Sequence, residues 1–148
     1  MTEATAVTPE GRISPQDLGI WRDDHVETLS RVTHFIRSQK RASGIQLAHA
    51  GRKGSTRRPW DGQGAVEGGW QPVAPTPAAF AAGYPVPRAL DTQGLTEVVD
   101  AFGAAARRAL AANFDVVEVH AAHDICFTSS RSGPATRCRS RNVSGERR

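Results

Sequence analysis

"FDVVEVHAAHDICFTSS", residues 114 to 130, decides how the whole chain is read. Its first half, "FDVVEVHAA", is a short apolar and β-branched run, the composition of a buried strand. It ends in two histidines three apart, His120 and His123. Its second half passes into "DICFTSSRSGPATRCRSRNVSGERR", where hydrophobic rhythm stops. The first half needs neighbours to pair with, and the second needs an explanation of its own.

Working back from the strand, residues 93–112 carry Leu95, Val98 or Val99, Phe102, Ala106 and Leu110 at helical spacing. Asn113 follows, suited to a left-handed C′ position. Further upstream, "GIQLAHAG" (residues 44–51) is an apolar run bounded by glycines and predicts another buried strand. Val26, Leu29, Val32 and Ile36 predict a helix before it. Asp24 and Glu27 have capping-box spacing, and Gly44 marks the helix end. "MTEATAV" predicts the end of a first strand. Strand, helix, strand, helix, strand is the order of a parallel α/β sheet or barrel, with right-handed crossovers. Residues 51–90 are Gly/Pro-rich and too long for a passive connection. Trp60, Trp70, Phe80 and Tyr84 predict that this excursion is ordered and packed.

Charge separates body from tail. The 148 residues carry a net charge of +4 and are 39% hydrophobic. The whole excess lies in residues 124–148, where six arginines face Asp124 and Glu146. The first 123 residues balance 13 basic against 13 acidic side chains, which argues against a nucleic-acid-binding body. Cys126 and Cys138 also lie in the tail, at a spacing that fits no metal motif. No apolar run is long enough to span a membrane. The start has no signal-peptide pattern, so a cytoplasmic protein is expected.

In parallel α/β folds the C-terminal strand ends carry the site. These ends present Glu3 to Thr5, Gln46 to Lys53, and Glu118 to His123. Gln46 is an amide in an apolar strand. It either bonds neighbouring strands or reads a polar ligand edge. His49, His120 and His123 admit a zinc reading, although no HExxH or cysteine pair supports it. Alternatively, their N–H groups could hold and polarise a carbonyl or nitro oxygen. Arg52, Lys53, Arg57 and Arg58 form a basic loop, either solvated or placed to meet phosphate or substrate.

"TEATAVTPEGRISPQDLGIW", "GIQLAHAGRKGS", "GGWQPVAP", "YPVPRAL" and "AFGAAARRALAANFDVVEVHAAH" together resemble the Old Yellow Enzyme family, in its thermophilic-like bacterial ene-reductase branch. The resemblance covers residues 2–123. It implies a partial (β/α)8 TIM barrel holding about the second to fourth strands, with FMN at the strand ends and NAD(P)H as reductant. A complete barrel takes about 250 residues, so a single chain of this length holds only part of one. By resemblance, Ala4 lines the flavin and Gln46 bonds the pyrimidine side of its ring. His120 and His123 bind the carbonyl oxygen of a small enone or nitro substrate. The parent family is often homo-oligomeric, and no nucleic acid or membrane partner is implied.

The family continues approximately "GYLLHQFLSP" where this chain has "DICFTSS". Restoring one base after His123 recovers Gly-Tyr-Leu-Leu-His-Gln-Phe with permitted codons. Residues 124–148 are therefore expected to be an out-of-frame, disordered, Arg/Ser-rich tail. A genuine nucleic-acid-binding tail is the rival expectation. The fragment alone is expected to be inactive.

Overall fold

The computed structural model describes residues 1–121. Its elements in chain order are β1 (Ala4–Ala6), α1 (Asp24–Ser38), β2 (Gly44–Ala48), β3 (Val73–Ala74), β4 (Arg88–Ala89), α2 (Thr92–Ala111) and β5 (Val116–Val119). β1, β2 and β5 form one parallel sheet in that order. Ala4 stands opposite Gln46, and Gln46 opposite Glu118. β3 and β4 pair in a separate two-stranded ribbon within the long excursion.

Alternation along β2 assigns the two faces of the sheet. Ile45 and Leu47 are fully buried and join Val98, Phe102, Ala105 and Ala109 of α2 and Leu29 of α1 in one core. Burying each of these branched or aromatic side chains contributes roughly 1.5–3 kcal/mol. The other face carries Ala4, Gln46 and Glu118 in one row, with no helix over it among the described residues. Helices on one side and a small, polar inner face on the other form the wall of an α/β barrel.

Asn113 takes the left-handed conformation expected of it, with φ 62°. The Phe114 N–H reaches the Ala109 carbonyl and the Asn113 N–H reaches Leu110, which is a Schellman ending. Five expectations are corrected. Asp24 is the first helical residue rather than the cap, and the preceding Asp23 makes no side-chain cap bond. The Asp23 carboxylate instead accepts from Arg108 at 2.7 Å, tying α1 to α2. The side-chain cap that does form is on α2, where Asp91 accepts the Gly94 N–H at 2.8 Å.

On α1, Val32 is exposed and Thr33 is buried in the place expected for an apolar residue. The Thr33 hydroxyl donates to the Ala112 carbonyl at 2.6 Å, which satisfies a helix-end acceptor that a valine would leave bare. On α2 the stripe runs Val98, Phe102, Ala105 and Ala109, leaving Val99 and Leu110 outside. Gly44 opens β2 rather than closing α1, which ends at Ser38 with Lys40 left-handed at φ 56°.

The excursion is ordered through Trp70, whose Nε1–H donates to the Glu10 carbonyl at 2.9 Å, and through the Phe80–Tyr84 edge contact. Trp60, expected to pack, is 76% exposed. Among the described residues no helix is long and apolar enough to cross a membrane. His123 and the tail 124–148, with its expected change of frame, lie outside the described residues.

Candidate functional site

The C-terminal ends of β1, β2 and β5 lie side by side, as a parallel sheet requires. His120 extends the ladder one residue past β5, its N–H donating to the Leu47 carbonyl at 2.8 Å. Continuing the register sets His120 beside Ala48. Ala4, Ala6, Ala48 and Ala50 line a narrow cleft of about 60 Å³ with His120 at its margin. Gly11, Ile13 and Asp17 of the loop after β1 close the cleft opposite the alanines. His120 is half-buried.

Gln46 is half-buried on the same face. Its Nε2 donates to Glu118 Oε1 at 3.1 Å across the β2–β5 pair. The open question about this amide is thus partly answered, because a neighbouring strand takes one end of it. Ala4, on the other side, offers no polar group to compete. The sequence-predicted residues Ala4, Gln46 and His120 therefore share one face. Glu118 joins them through pairing that no local pattern announces.

His49 does not join that face. It alternates onto the helix side of the sheet with Ile45 and Leu47 and is 0% exposed. Its Nδ1 accepts the Gly51 N–H at 3.1 Å, so the ring proton sits on Nε2. Nε2 has no hydrogen-bond partner among the described residues. Burial pushes the His49 pKa below the ordinary imidazole value, partly opposed by the Glu10 carboxylate. The ring is therefore neutral, and it props the turn at Gly51, whose φ is 59°. His49 and His120 therefore part, on opposite faces of the sheet. Among the described residues, no group of three or more His, Cys, Asp or Glu could hold a metal ion.

The basic loop is largely turned inward. Lys53 Nζ stands 4.3 Å over the Phe80 ring and the Arg52 guanidinium 5.8 Å from it. Arg58 pairs with Asp61 at 2.7 Å and lies over Trp60. Arg12, not singled out by the sequence, stacks between Trp21 and Trp70 at 5.3 and 4.7 Å. These cations fasten the excursion to itself and to the segment after β1, and of the four in the basic loop Arg57 is the most open. A broader groove of about 750 Å³ lies between Trp21 and the α2 residues Asp100 and Arg107. It is a wide surface trough bounded by α2 and by Val7, Thr8 and Pro9, which follow β1, and none of Ala4, Gln46 and His120 lines it.

Known proteins similar to this chain in sequence and in fold agree with one another. Residues 1–127 match the NADH:flavin oxidoreductase / NADH oxidase family. The chain is 50% identical over 130 residues to NADH:flavin oxidoreductase FG08077 of Gibberella zeae, covering 83% of this chain and 32% of that one. It is 43% identical over 123 residues to an NADPH dehydrogenase of Bacillus velezensis, covering 83% and 33%. The fold superposes on morphinone reductase with a TM-score of 0.69 at 32% identity, covering 84% of this chain and 35% of that one. The old yellow enzyme homologue of Zymomonas mobilis gives 0.67 at 33% identity. The chain thus spans about a third of the length of the curated relatives it matches, and its sheet is part of an Old Yellow Enzyme TIM barrel. By sequence and by fold, this chain belongs to the NADH:flavin oxidoreductase / NADH oxidase family.

Proposed function

We propose that this chain contributes part of the flavin- and substrate-binding wall of an FMN-dependent NAD(P)H oxidoreductase acting on the activated C=C of α,β-unsaturated carbonyl or nitro compounds. The observation that carries the reading is the shared inner face, with alanines at β1 and β2, the Gln46 amide beside them and His120 at the rim. These residues fit the ring of FMN. The planar ring would lie against the small side chains of Ala4 and Ala48, and the Gln46 amide would meet its polar edge.

FMN, when bound, would supply the hydride chemistry between NAD(P)H and the alkene. The chain's own residues would do the rest. Ala4 keeps the floor low enough for a flat ring. Gln46 fixes the ring's orientation through its amide. His120, with His123 proposed beside it, donates N–H to the substrate's carbonyl or nitro oxygen. That bond strengthens as charge builds on the oxygen in the transition state, so it lowers the barrier rather than merely holding substrate.

Three strands supply only part of a barrel's contacts. The 148-residue chain alone is therefore expected to bind FMN weakly and to turn nothing over. The test is a fluorescence titration of FMN with the purified chain and with Gln46→Ala, beside an NADPH-oxidation assay with 2-cyclohexenone. Weak binding that Gln46→Ala removes, without turnover, is the expected result. Binding indifferent to Gln46→Ala overturns the site. A stoichiometric yellow protein with turnover overturns the inactivity of the isolated chain.

A further inference from the structure

We propose that Glu118 is a positioning residue that decides which end of the Gln46 amide faces the ligand; the ligand's identity as a flavin rests on the functional reading above. The two residues are register partners on adjacent parallel strands, and Gln46 Nε2 lies 3.1 Å from Glu118 Oε1. An ionised carboxylate only accepts hydrogen bonds. The amide can therefore present only its NH₂ end to Glu118, whichever rotamer it would choose alone. The side chain on the opposite flank is the Ala4 methyl, which has no polar group to turn the amide back. The backbone N–H of Gln46 is engaged separately, by the Thr2 hydroxyl at 3.2 Å.

The consequence is chemical selectivity. With its NH₂ group drawn toward β5, Gln46 offers Oε1 as an acceptor over the alanine face. An acceptor there selects a ligand edge bearing an N–H, such as the imide N–H of a pyrimidine-like ring. A ligand edge with only carbonyls, or with that nitrogen methylated, leaves Oε1 without a donor. Without Glu118 the amide could rotate by half a turn and present either end, and selectivity would fall.

The contact is tested first without any ligand. In the 15N-labelled 148-residue chain, the side-chain NH₂ resonances of Gln46 should move when Glu118 is replaced. Glu118→Gln is the first variant, and its backbone spectrum shows whether the fold persists. Glu118→Ala serves as the second variant. The selectivity is then tested with FMN and N3-methyl-FMN. The unmodified chain should prefer FMN by about tenfold, the weight of one hydrogen bond, and Glu118→Gln should lose most of that preference.

A Gln46 NH₂ signal that ignores both Glu118 substitutions overturns the proposal, whatever the flavins do. Equal preference for FMN in Glu118→Gln and the unmodified chain overturns it as well. Coupling of the two side chains with no flavin binding at all supports the oriented amide and overturns the flavin reading instead, so the two failures are distinguishable.

Discussion

The two ends of the parallel sheet are built for different tasks. At the end where the strands begin, polar groups are closed on one another. Asp115 accepts from the Ser43 N–H at 2.8 Å, the Ser43 hydroxyl at 2.9 Å and Arg37 Nη2 at 2.9 Å. These bonds, the Ser43 backbone first, hold its carboxyl below the usual range. Thr33 caps the Ala112 carbonyl, and both helices end there in Schellman turns.

At the end where the strands finish, polar groups are left open. The Gln46 amide is engaged at its Nε2 by Glu118, and His49 buries an N–H that bonds to nothing among the described residues. A buried unsatisfied group costs stability. Closed polar groups stabilise a fold, whereas open ones can bind. The comparison separates, within a few strands, the residues that hold the chain together from those that would do chemistry.

The largest effect should come from behind both ends. Phe102→Ala removes the aromatic side chain that packs into the shared core. It should cost about 3–5 kcal/mol by urea denaturation, with hydrogen exchange showing both ends losing protection together. If one end kept its protection, the two would not share a core. Next, Thr33→Val keeps shape but strips the hydroxyl from the Ala112 carbonyl. It should cost about 1–2 kcal/mol and loosen the strand-start end alone.

Acid should then separate the ends by pH. The native pKa of His49 is depressed, so below about pH 6.5 the unfolded chain takes up a proton that the native ring refuses. Its stability contribution is complete above that pH and falls as pH drops toward the native value. Asp115 is also depressed, but its contribution is complete above about pH 4 and falls only below it. The protection factor of the Gly51 amide, corrected for the intrinsic exchange rate, should therefore fall in mild acid while that of Ser43 holds. Simultaneous loss at both ends would break the distinction. The smallest effect on stability belongs to the rim. His120→Ala should shift the unfolding free energy by no more than about 0.5 kcal/mol, although the same substitution should abolish any substrate-oxygen contact. A large loss of stability would mean that His120 serves the fold.

Much of this was legible in sequence because local sterics write it there. Asn113 was readable as left-handed because short polar side chains tolerate that conformation after a helix. The strands were readable from apolar runs between glycine and asparagine, and their parallel order from the intervening helices. The helix faces were less legible. Val32 and Leu110 are as apolar as the residues that do face the core. Thr33 displaces a valine only because a carbonyl from another helix arrives to meet it. The caps misled for a similar reason, since Asp23 and Asp24 were drawn away by Arg108 and Arg22.

By itself, then, the sequence determined the element order, the strand ends as the place for chemistry, and Ala4, Gln46 and His120 as residues to watch there. The order, the strand ends, Gln46 and His120 follow from period, composition or position along one strand, whereas Ala4 follows from the family resemblance. Only the tertiary structure decided that His49 and His120 face opposite sides of the sheet, and that Gln46 meets Glu118 across 72 positions of chain. Those facts depend on register between strands. Register is set by packing the whole apolar face against the helices, where a slip of one residue would turn every side chain to the other side.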